Sequence, residues 1–229
     1  MTQKLTVTVD SATGAEQRTF DVSRVYNLGF TIRDTEKMQA HLDEVVGVHV
    51  DWPDRPPVIF PISPWATIVS DDVPIQYKTT SGEIEIVMIV DDGQLYVTCG
   101  SDHTDRELEK TDIPWSKQVA PNIVASTVWP WTDVKDHWEQ VQMESYVDGK
   151  LYQKAGVAEF WSPEEMVDSV KGRIPELPGA RVFFSGTVVS VDELMDFGLQ
   201  WTLKMIDPVA GRTIQHDYKV SVLSDEISE

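Results

Sequence analysis

The stretch of sequence that decides the fold covers residues 81–102 and reads SGEIEIVMIVDDGQLYVTCGSD. Its two halves, residues 83–90 and 94–101, are rich in apolar and β-branched residues, which is typical of β-strands. The Asp92-Gly93 dipeptide between them favours a two-residue turn, because both residue types tolerate positive φ angles. We therefore predict an antiparallel hairpin in which pairing continues outward from this turn, one residue at a time.

This register brings three acidic side chains to one face of the hairpin. Glu83 and Glu85 alternate along the first strand, about 6.6 Å apart at a rise of about 3.3 Å per residue. Asp102 opposes Glu83 and projects from the same face, while Gly100 opposes Glu85 and leaves space beside it. A three-residue loop would shift this pairing by one residue and require a β-bulge near Gly100.

Three carboxylates at such close range repel one another and need a compensating cation. That cation is either a basic side chain or a metal ion. Three oxygen ligands without a cysteine favour Mg²⁺ or Mn²⁺, with Ca²⁺ as an alternative. The other interpretation is that Glu83 and Glu85 form an acidic stripe on the solvent face of an edge strand.

The composition excludes several classes of function. The chain has 229 residues, a formal net charge of −19 at pH 7 and 41% hydrophobic residues. This apolar content is enough for a folded core, whereas the acidity disfavours binding to nucleic acid or to an anionic membrane. The sequence shows neither a signal peptide nor an apolar run long enough to span a bilayer, so we expect a soluble, cytoplasmic protein.

Turn and strand signals outside the first hairpin indicate an α+β chain dominated by antiparallel strands. Val147-Asp-Gly149 predicts a second hairpin between residues 140–146 and 150–154. Two short helices are predicted, one from Asp34 to about residue 46 and one that starts with the capping box Ser162-Pro-Glu-Glu165 and ends near residue 172. Further strands are predicted at residues 4–9, 18–25, 181–185, 199–206 and 213–222.

At the first hairpin and beyond it, the chain resembles the fumarylacetoacetate hydrolase superfamily. In that superfamily, a Glu-x-Glu strand is followed by a metal-binding Asp, an Arg, a Lys shortly after a Trp, a second hairpin and a late Gly-Thr. The matching elements here are Gly82-Glu-Ile-Glu85, Asp102-His-Thr-Asp-Arg106, Pro114-Trp-Ser-Lys117, Asp148-Gly149 with Tyr152-Gln153, and Ser185-Gly-Thr187. More narrowly, the chain looks like a member of a subgroup of that superfamily with a domain of unknown function (DUF2848-like). The segments that carry this resemblance are Gly100-Ser-Asp-His-Thr-Asp-Arg106, Ser116-Lys-Gln118, Asp136-His-Trp138 and Tyr152-Gln153.

The resemblance implies a mixed, mainly antiparallel β-roll or sandwich, usually dimeric, with a divalent cation at its mouth. It further implies a single domain over residues 1–229. Within it, residues 1–75 hold N-terminal strands and a lid helix, residues 76–223 the catalytic β-roll, and residues 224–229 an acidic tail. By the same resemblance, Glu83, Glu85 and Asp102 correspond to the metal ligands, Lys117 to an active-site lysine and Thr187 to a residue near the substrate carboxylate.

The predicted first helix carries a candidate catalytic pair. His41 and Glu44 keep the His-x-x-Glu spacing of the family's lid helix and are neighbours on one helix face, where the carboxylate can orient the imidazole to accept a proton from water. The alternative is an exposed helix whose polar face happens to contain a histidine. Lys117 either neutralises an anionic substrate or a developing enolate, or lies on the surface.

Two further residues are candidates for substrate binding. Arg33 lies in a stretch, residues 27–34, that loosely matches the turn with which the family often begins. Gln153 either reaches the site from the second hairpin or makes a structural hydrogen bond. We also predict that Arg106 pairs with Asp105 to support the Asp102 loop, with Asp105 as an alternative further ligand.

These residues favour a metal-dependent hydrolase that cleaves a C–C bond in a small β-dicarbonyl or 2-oxo acid through a metal-stabilised enolate. The same site suits a lyase, decarboxylase or isomerase of a 2-oxo acid if His41 does not take part. A non-catalytic, acidic cation-binding protein is the alternative from a different class. The expected partners are a small anionic substrate and a second copy of the chain in a homodimer.

Overall fold

Strands dominate the computed structural model, which describes residues 2–36, 39, 53–192 and 194–227. Three short α-helices are described in full: α1 (Arg106–Glu109), α2 (Ile113–Gln118) and α3 (Pro163–Ser169). The strands among the described residues are β1 (Gln3–Ser11), β2 (Gly14–Gly29), β3 (Val58–Ile62), β4 (Thr67–Ile68), β5 (Asp72–Ile75), β6 (Thr80–Ser81), β7 (Ile84–Asp91), β8 (Gln94–Asp102), β9 (Thr104–Asp105), β10 (Asn122–Val124), β11 (Thr127–Pro130), β12 (Gln142–Val147), β13 (Lys150–Gly156), β14 (Ala180–Phe184), β15 (Gln200–Asp207) and β16 (Arg212–Val222).

The largest sheet closes on itself as a six-stranded barrel. Its strands follow the order β11-β1-β2-β14-β7-β8, and β8 pairs again with β11. The β1–β11 and β14–β2 contacts are parallel and the other four are antiparallel. Strands β3, β10 and β4 extend the sheet outside this ring. The predicted sheet-dominated fold with few helices is confirmed, and its main sheet is a closed barrel rather than an open roll or a sandwich.

Alternate residues of the six strands fill the barrel. Each strand of the ring contributes to one cluster of buried side chains, which includes Val7, Phe20, Val87, Tyr96, Val128 and Phe184. Because side chains alternate between the two faces of a strand, the positions two and four residues before Val87 share its inward face. Glu83 and Glu85 therefore lie on the inner face of the barrel, at the end where β7 begins.

A second sheet covers the outer face of the central hairpin. It has the strand order β13-β12-β15-β16-β5. Its buried residues Met143, Leu203 and Met205 belong to the same core cluster as Ile86 and Met88 on the outward face of β7. Strand β7 is thus buried on both faces, which explains its almost uninterrupted apolar sequence.

The short helices differ in number from the sequence prediction. Helix α3 begins at the predicted cap, where Ser162 accepts a hydrogen bond from Glu165 N. Helices α1 and α2 were not predicted, although Asp105 and Asp112 cap their first turns. The helix predicted from Asp34 to about residue 46 falls mostly outside the described residues.

No helix in the described ranges combines the length and hydrophobicity that a membrane crossing requires. The division of the chain into residues 1–75, 76–223 and 224–229 stays a prediction.

Candidate metal centre

The central hairpin has the predicted register. Glu85 pairs with Gly100 across the two strands, and Ile84 pairs with Ser101. The turn residues Asp92 and Gly93 have φ angles of 48° and 77°, which fits a two-residue turn with positive φ at both positions. Beyond the last paired residue of β7, Asp102 N donates a hydrogen bond to the Glu83 carbonyl oxygen over 3.3 Å. Glu83 and Asp102 therefore face each other.

The three acidic side chains converge inside the mouth of the barrel. One carboxylate oxygen from each of Glu83, Glu85 and Asp102 lies within 4.8 Å of the other two. Glu85 and Asp102 are almost completely buried, at 1% and 0% exposure. Burial raises the pKa of Glu83, and burial together with the neighbouring Asp102 charge raises the pKa of Glu85 well above its ordinary value. The cluster thus needs additional positive charge if all three carboxylates are to ionise.

The predicted space beside Glu85 is filled. A β-carbon on Gly100 would lie 2.3 Å from the Ile123 carbonyl oxygen and 2.5 Å from Val87 Cγ2. Glycine is therefore needed here for the close approach of β10 and the barrel core. The prediction that Gly100 leaves space beside Glu85 was wrong, because the tertiary fold brings β10 and the barrel core against this position.

Lys117 lies directly beside the acidic cluster. Its Nζ is 2.5 Å from Asp102 Oδ2 and also donates to Thr104 Oγ1 over 3.2 Å. Burial disfavours the ammonium form, but the charges of Asp102, Glu83 and Glu85 outweigh this effect and raise the lysine pKa above its ordinary value. The residue is therefore a largely buried, charged lysine, not a surface lysine.

A second basic side chain, Arg106, also contacts the cluster. Its Nη2 lies 2.8 Å from Glu83 Oε1, and its Nη1 donates to Glu109 Oε2 over 2.9 Å. Its Nε is buried without a hydrogen-bond partner among the described residues. Burial opposes its charge, but Glu83 and Glu109 raise its pKa above the ordinary value, so the guanidinium stays charged.

The predicted Arg106–Asp105 ion pair is absent from the salt bridges of the described residues. Asp105 instead caps α1 by accepting from Glu107 N and Leu108 N, and it also accepts from Thr79. This leaves Asp105 outside the cluster of candidate ligands. The role of Glu109 was missed, although its spacing of three residues from Arg106 on a capped helix is a signal for such a pair.

Thr187 and Gln153 are next to the site but hydrogen-bond to each other and to the main chain. The Thr187 hydroxyl donates to the Ile84 carbonyl oxygen over 2.7 Å and accepts from Gln153 Nε2 over 2.9 Å. Gln153 also donates to Val188 O and accepts from Ile84 N. The single hydroxyl proton of Thr187 is thus already engaged and is not available to a substrate carboxylate. Gly186 N, in the same segment, donates to Glu85 Oε2 over 2.9 Å.

One further sequence-predicted residue, Arg33, is not brought to this cluster. Arg33 is exposed and forms an ion pair with Glu165, with 2.6 Å between Nη2 and Oε2. His41 and Glu44 lie outside the described residues, so their role stays a prediction.

A cavity of about 240 Å³ opens beside the carboxylates. Among the described residues, its charged lining consists of four acidic and two basic side chains, which leaves two negative charges uncompensated when all are ionised. One divalent cation would offset this difference, and carboxylate oxygens are suitable ligands for a hard ion such as Mg²⁺ or Mn²⁺. The charged lining residues are Glu83, Glu85, Asp102, Glu109, Arg106 and Lys117.

Comparisons with known proteins give a family and a fold. Residues 28–218 match the family model described as "Protein of unknown function (DUF2848)". No curated protein matches the chain.

Among solved structures, the fumarylpyruvate hydrolase from Pseudomonas aeruginosa, in complex with Mn²⁺ and pyruvate, is similar at a TM-score of 0.64. It is 19% identical, with 97% of this chain and 98% of that chain covered. The 2-hydroxyhepta-2,4-diene-1,7-dioate isomerase from Mycobacterium marinum has a TM-score of 0.62 and 14% identity, with coverage of 96% and 99%. The 5-carboxymethyl-2-hydroxymuconate delta-isomerase from Mycobacterium smegmatis has a TM-score of 0.55 and 15% identity, with the same coverage. At these identities the similarity establishes the fold.

Proposed function

The chain belongs to the DUF2848 family within the fumarylacetoacetate hydrolase superfamily, and on that basis we propose that it is a divalent-metal-dependent enzyme. We propose further that it hydrolyses a C–C bond in a small β-dicarbonyl or 2-oxo acid. The observation that carries the proposal is the group of three carboxylates, two of them fully buried, beside a cavity whose described charged lining leaves two negative charges uncompensated. Glu83, Glu85 and Asp102 would hold the cation, with Mg²⁺ or Mn²⁺ preferred and Ca²⁺ as an alternative.

When bound, the cation would polarise the substrate's carboxylate and keto oxygens and stabilise the negative charge that develops during bond cleavage. The two basic residues would keep the ligands in place. Lys117 fixes one oxygen of Asp102, and Arg106 fixes one oxygen of Glu83. Arg106 also lines the cavity, and its guanidinium stays charged beside the carboxylates.

Hydrolysis also needs a base that activates water. We propose His41 for this step, with Glu44 orienting its imidazole. The structures that share the fold include isomerases as well as a hydrolase, so an isomerase or a decarboxylase on the same residues is the second candidate. The adjoining cavity argues against a purely cation-binding protein, because such a site would need no space for a substrate.

The test combines metal binding with turnover. Replacing Glu85 by Gln or Asp102 by Asn should weaken Mg²⁺ or Mn²⁺ binding in calorimetry by at least about 10-fold, since even the loss of groups that orient ligands costs about 10–100-fold. The same variants should lose turnover in a screen of 2-oxo and 2,4-dioxo acids. Retained metal binding and retained turnover would contradict the proposal.

Two variants sharpen this test. Glu107→Gln is the matched control, because Glu107 is an acidic residue of α1 that pairs only with the exposed Lys110 in the described structure. Metal affinity should not change in this variant. His41→Ala separates the candidates, since hydrolysis should collapse whereas decarboxylation or isomerisation should largely survive.

The expected homodimer and cytoplasmic location stay predictions. Light scattering of the purified chain tests the first and fractionation of the source cells tests the second.

A further inference from the structure

We propose that the cavity selects a singly charged acid with an apolar tail over a dicarboxylic acid of the same length. This refinement of the substrate class rests on the proposed function, because the acid group is assumed to bind beside the cation. It is carried by the charges and hydrogen bonds of the cavity lining.

Over the described residues, the charges in the lining are balanced once a divalent cation is present. Both basic side chains of the described lining already contact carboxylates: Lys117 contacts Asp102, and Arg106 contacts Glu83 and Glu109. The cation can attract the first carboxylate of a substrate. A second carboxylate would find no uncompensated positive charge in the described part of the lining.

Most neutral polar side chains of the described lining also donate their hydrogen bonds within the protein. Asn27 donates to Asn122, and Thr31 donates to the Ser185 carbonyl oxygen. Ser190 donates to the Leu194 carbonyl oxygen over 2.8 Å. The donors of Thr187 and Gln153 are occupied as described above. These groups therefore cannot replace the water that a buried carboxylate gives up.

The rest of the lining is largely apolar. Such a surface favours an alkyl or aryl tail, whereas a carboxylate held against it would be buried without a partner. Burial of an unpaired carboxylate costs more free energy than burial of an alkyl tail gains. We therefore expect the monoacid to bind at least about 100-fold more tightly than the diacid. The apolar lining includes Leu28, Phe60, Val188, Val189, Leu194 and Met195.

The test uses two acids that differ only in the tail, 2-oxohexanoate and 2-oxohexanedioate. Each is titrated by calorimetry into the full chain loaded with Mg²⁺, after binding of Mg²⁺ alone has been measured. The expected result is Mg²⁺-dependent binding of the monoacid, at least about 100-fold tighter than the diacid. Equal or tighter binding of the diacid, or binding of neither acid to the metal-loaded chain, would overturn the inference. If Mg²⁺ itself does not bind, the proposed function fails and the inference fails with it.

A variant tests the electrostatic cause. Met195 lines the cavity and is 40% exposed, so an arginine can be accommodated there without disrupting the core. Met195→Arg should raise the affinity for the diacid by at least about 10-fold and leave Mg²⁺ binding unchanged, because it adds an unpaired cation. Met195→Leu is the size control and should keep the preference for the monoacid. Failure of Met195→Arg to improve diacid binding would contradict the proposed cause.

Discussion

Replacement of Lys117 by Met should destabilise the metal-free protein strongly. The change keeps most of the aliphatic chain but removes the ammonium group that lies 2.5 Å from Asp102 Oδ2. The side chains of Lys117 and Asp102 are 12% and 0% exposed, so solvent screens this pair very little. Loss of one partner from a buried ion pair costs about 3–5 kcal/mol, because the other charge is left buried and uncompensated. For a chain of this size, that corresponds to a decrease in Tm of about 6–20 °C.

The assay is thermal and urea unfolding at pH 7 in the presence of a chelator. Lys110→Met is the matched control: Lys110 Nζ also lies close to a carboxylate, 2.8 Å from Glu107 Oε1, but both side chains are 66% exposed. Exposed pairs of this kind contribute about 0.5 kcal/mol or less. The contrast between the two variants therefore isolates burial as the cause.

A double variant tests whether the unpaired charge of Asp102 causes the loss of stability. When Asp102→Asn is combined with Lys117→Met, both charges are gone and most of the lost stability should return. The proposed cost of the unpaired Asp102 charge is refuted if Lys117→Met unfolds within about 2 °C of the wild type, which is about 1 kcal/mol or less for a protein of this size. It is also refuted if the second substitution makes the protein still less stable.

Two further predictions concern Asp207 and Gly100. Burial alone would raise the pKa of Asp207, but hydrogen bonds from a backbone N–H, His137 and Arg212 outweigh it and lower that pKa. Its contribution is therefore present above the unfolded carboxyl pKa of about 3.9 and lost as the pH falls through the lower folded value. Asp207→Asn should cost about 3–5 kcal/mol at pH 7 in urea unfolding and should flatten the acid limb of the stability curve; an unchanged acid limb would contradict this. Gly100→Ala should cost about 3 kcal/mol or abolish folding, because its new methyl would lie 2.3 Å from Ile123 O, and a wild-type Tm would show that the strand contact is wrong.

The central hairpin shows which structural features short sequence signals can predict. The Asp92-Gly93 turn determined the pairing of Glu85 with Gly100, and this register is confirmed. Because pairing propagates residue by residue from the turn, the convergence of the three carboxylates followed from the sequence alone. The second hairpin and the capped start of α3 are confirmed for the same reason, since each depends on a few adjacent residues.

The basic residues that contact the candidate ligands could not be predicted from local sequence signals. Asp105 was expected to pair with its neighbour Arg106, but the folded chain brings Glu83 to that arginine, 23 positions earlier in the sequence. Lys117 was recognised only through a family resemblance, and its burial against Asp102 depends on how α2 packs. A side-chain position of this kind is decided by packing, for which the local sequence has no periodic signal.

The sequence by itself thus determined the strand-rich character of the chain, the register of the central hairpin, the presence of the second hairpin and the acidic triad, because turn geometry and alternation act over a few residues. The tertiary structure decided the closure of the barrel, which needs the parallel contacts of β1 with β11 and of β14 with β2. It also decided the close contact of β10 with Gly100 and the charge balance of the cavity. These features join residues far apart in the chain, so they depend on how the whole core packs.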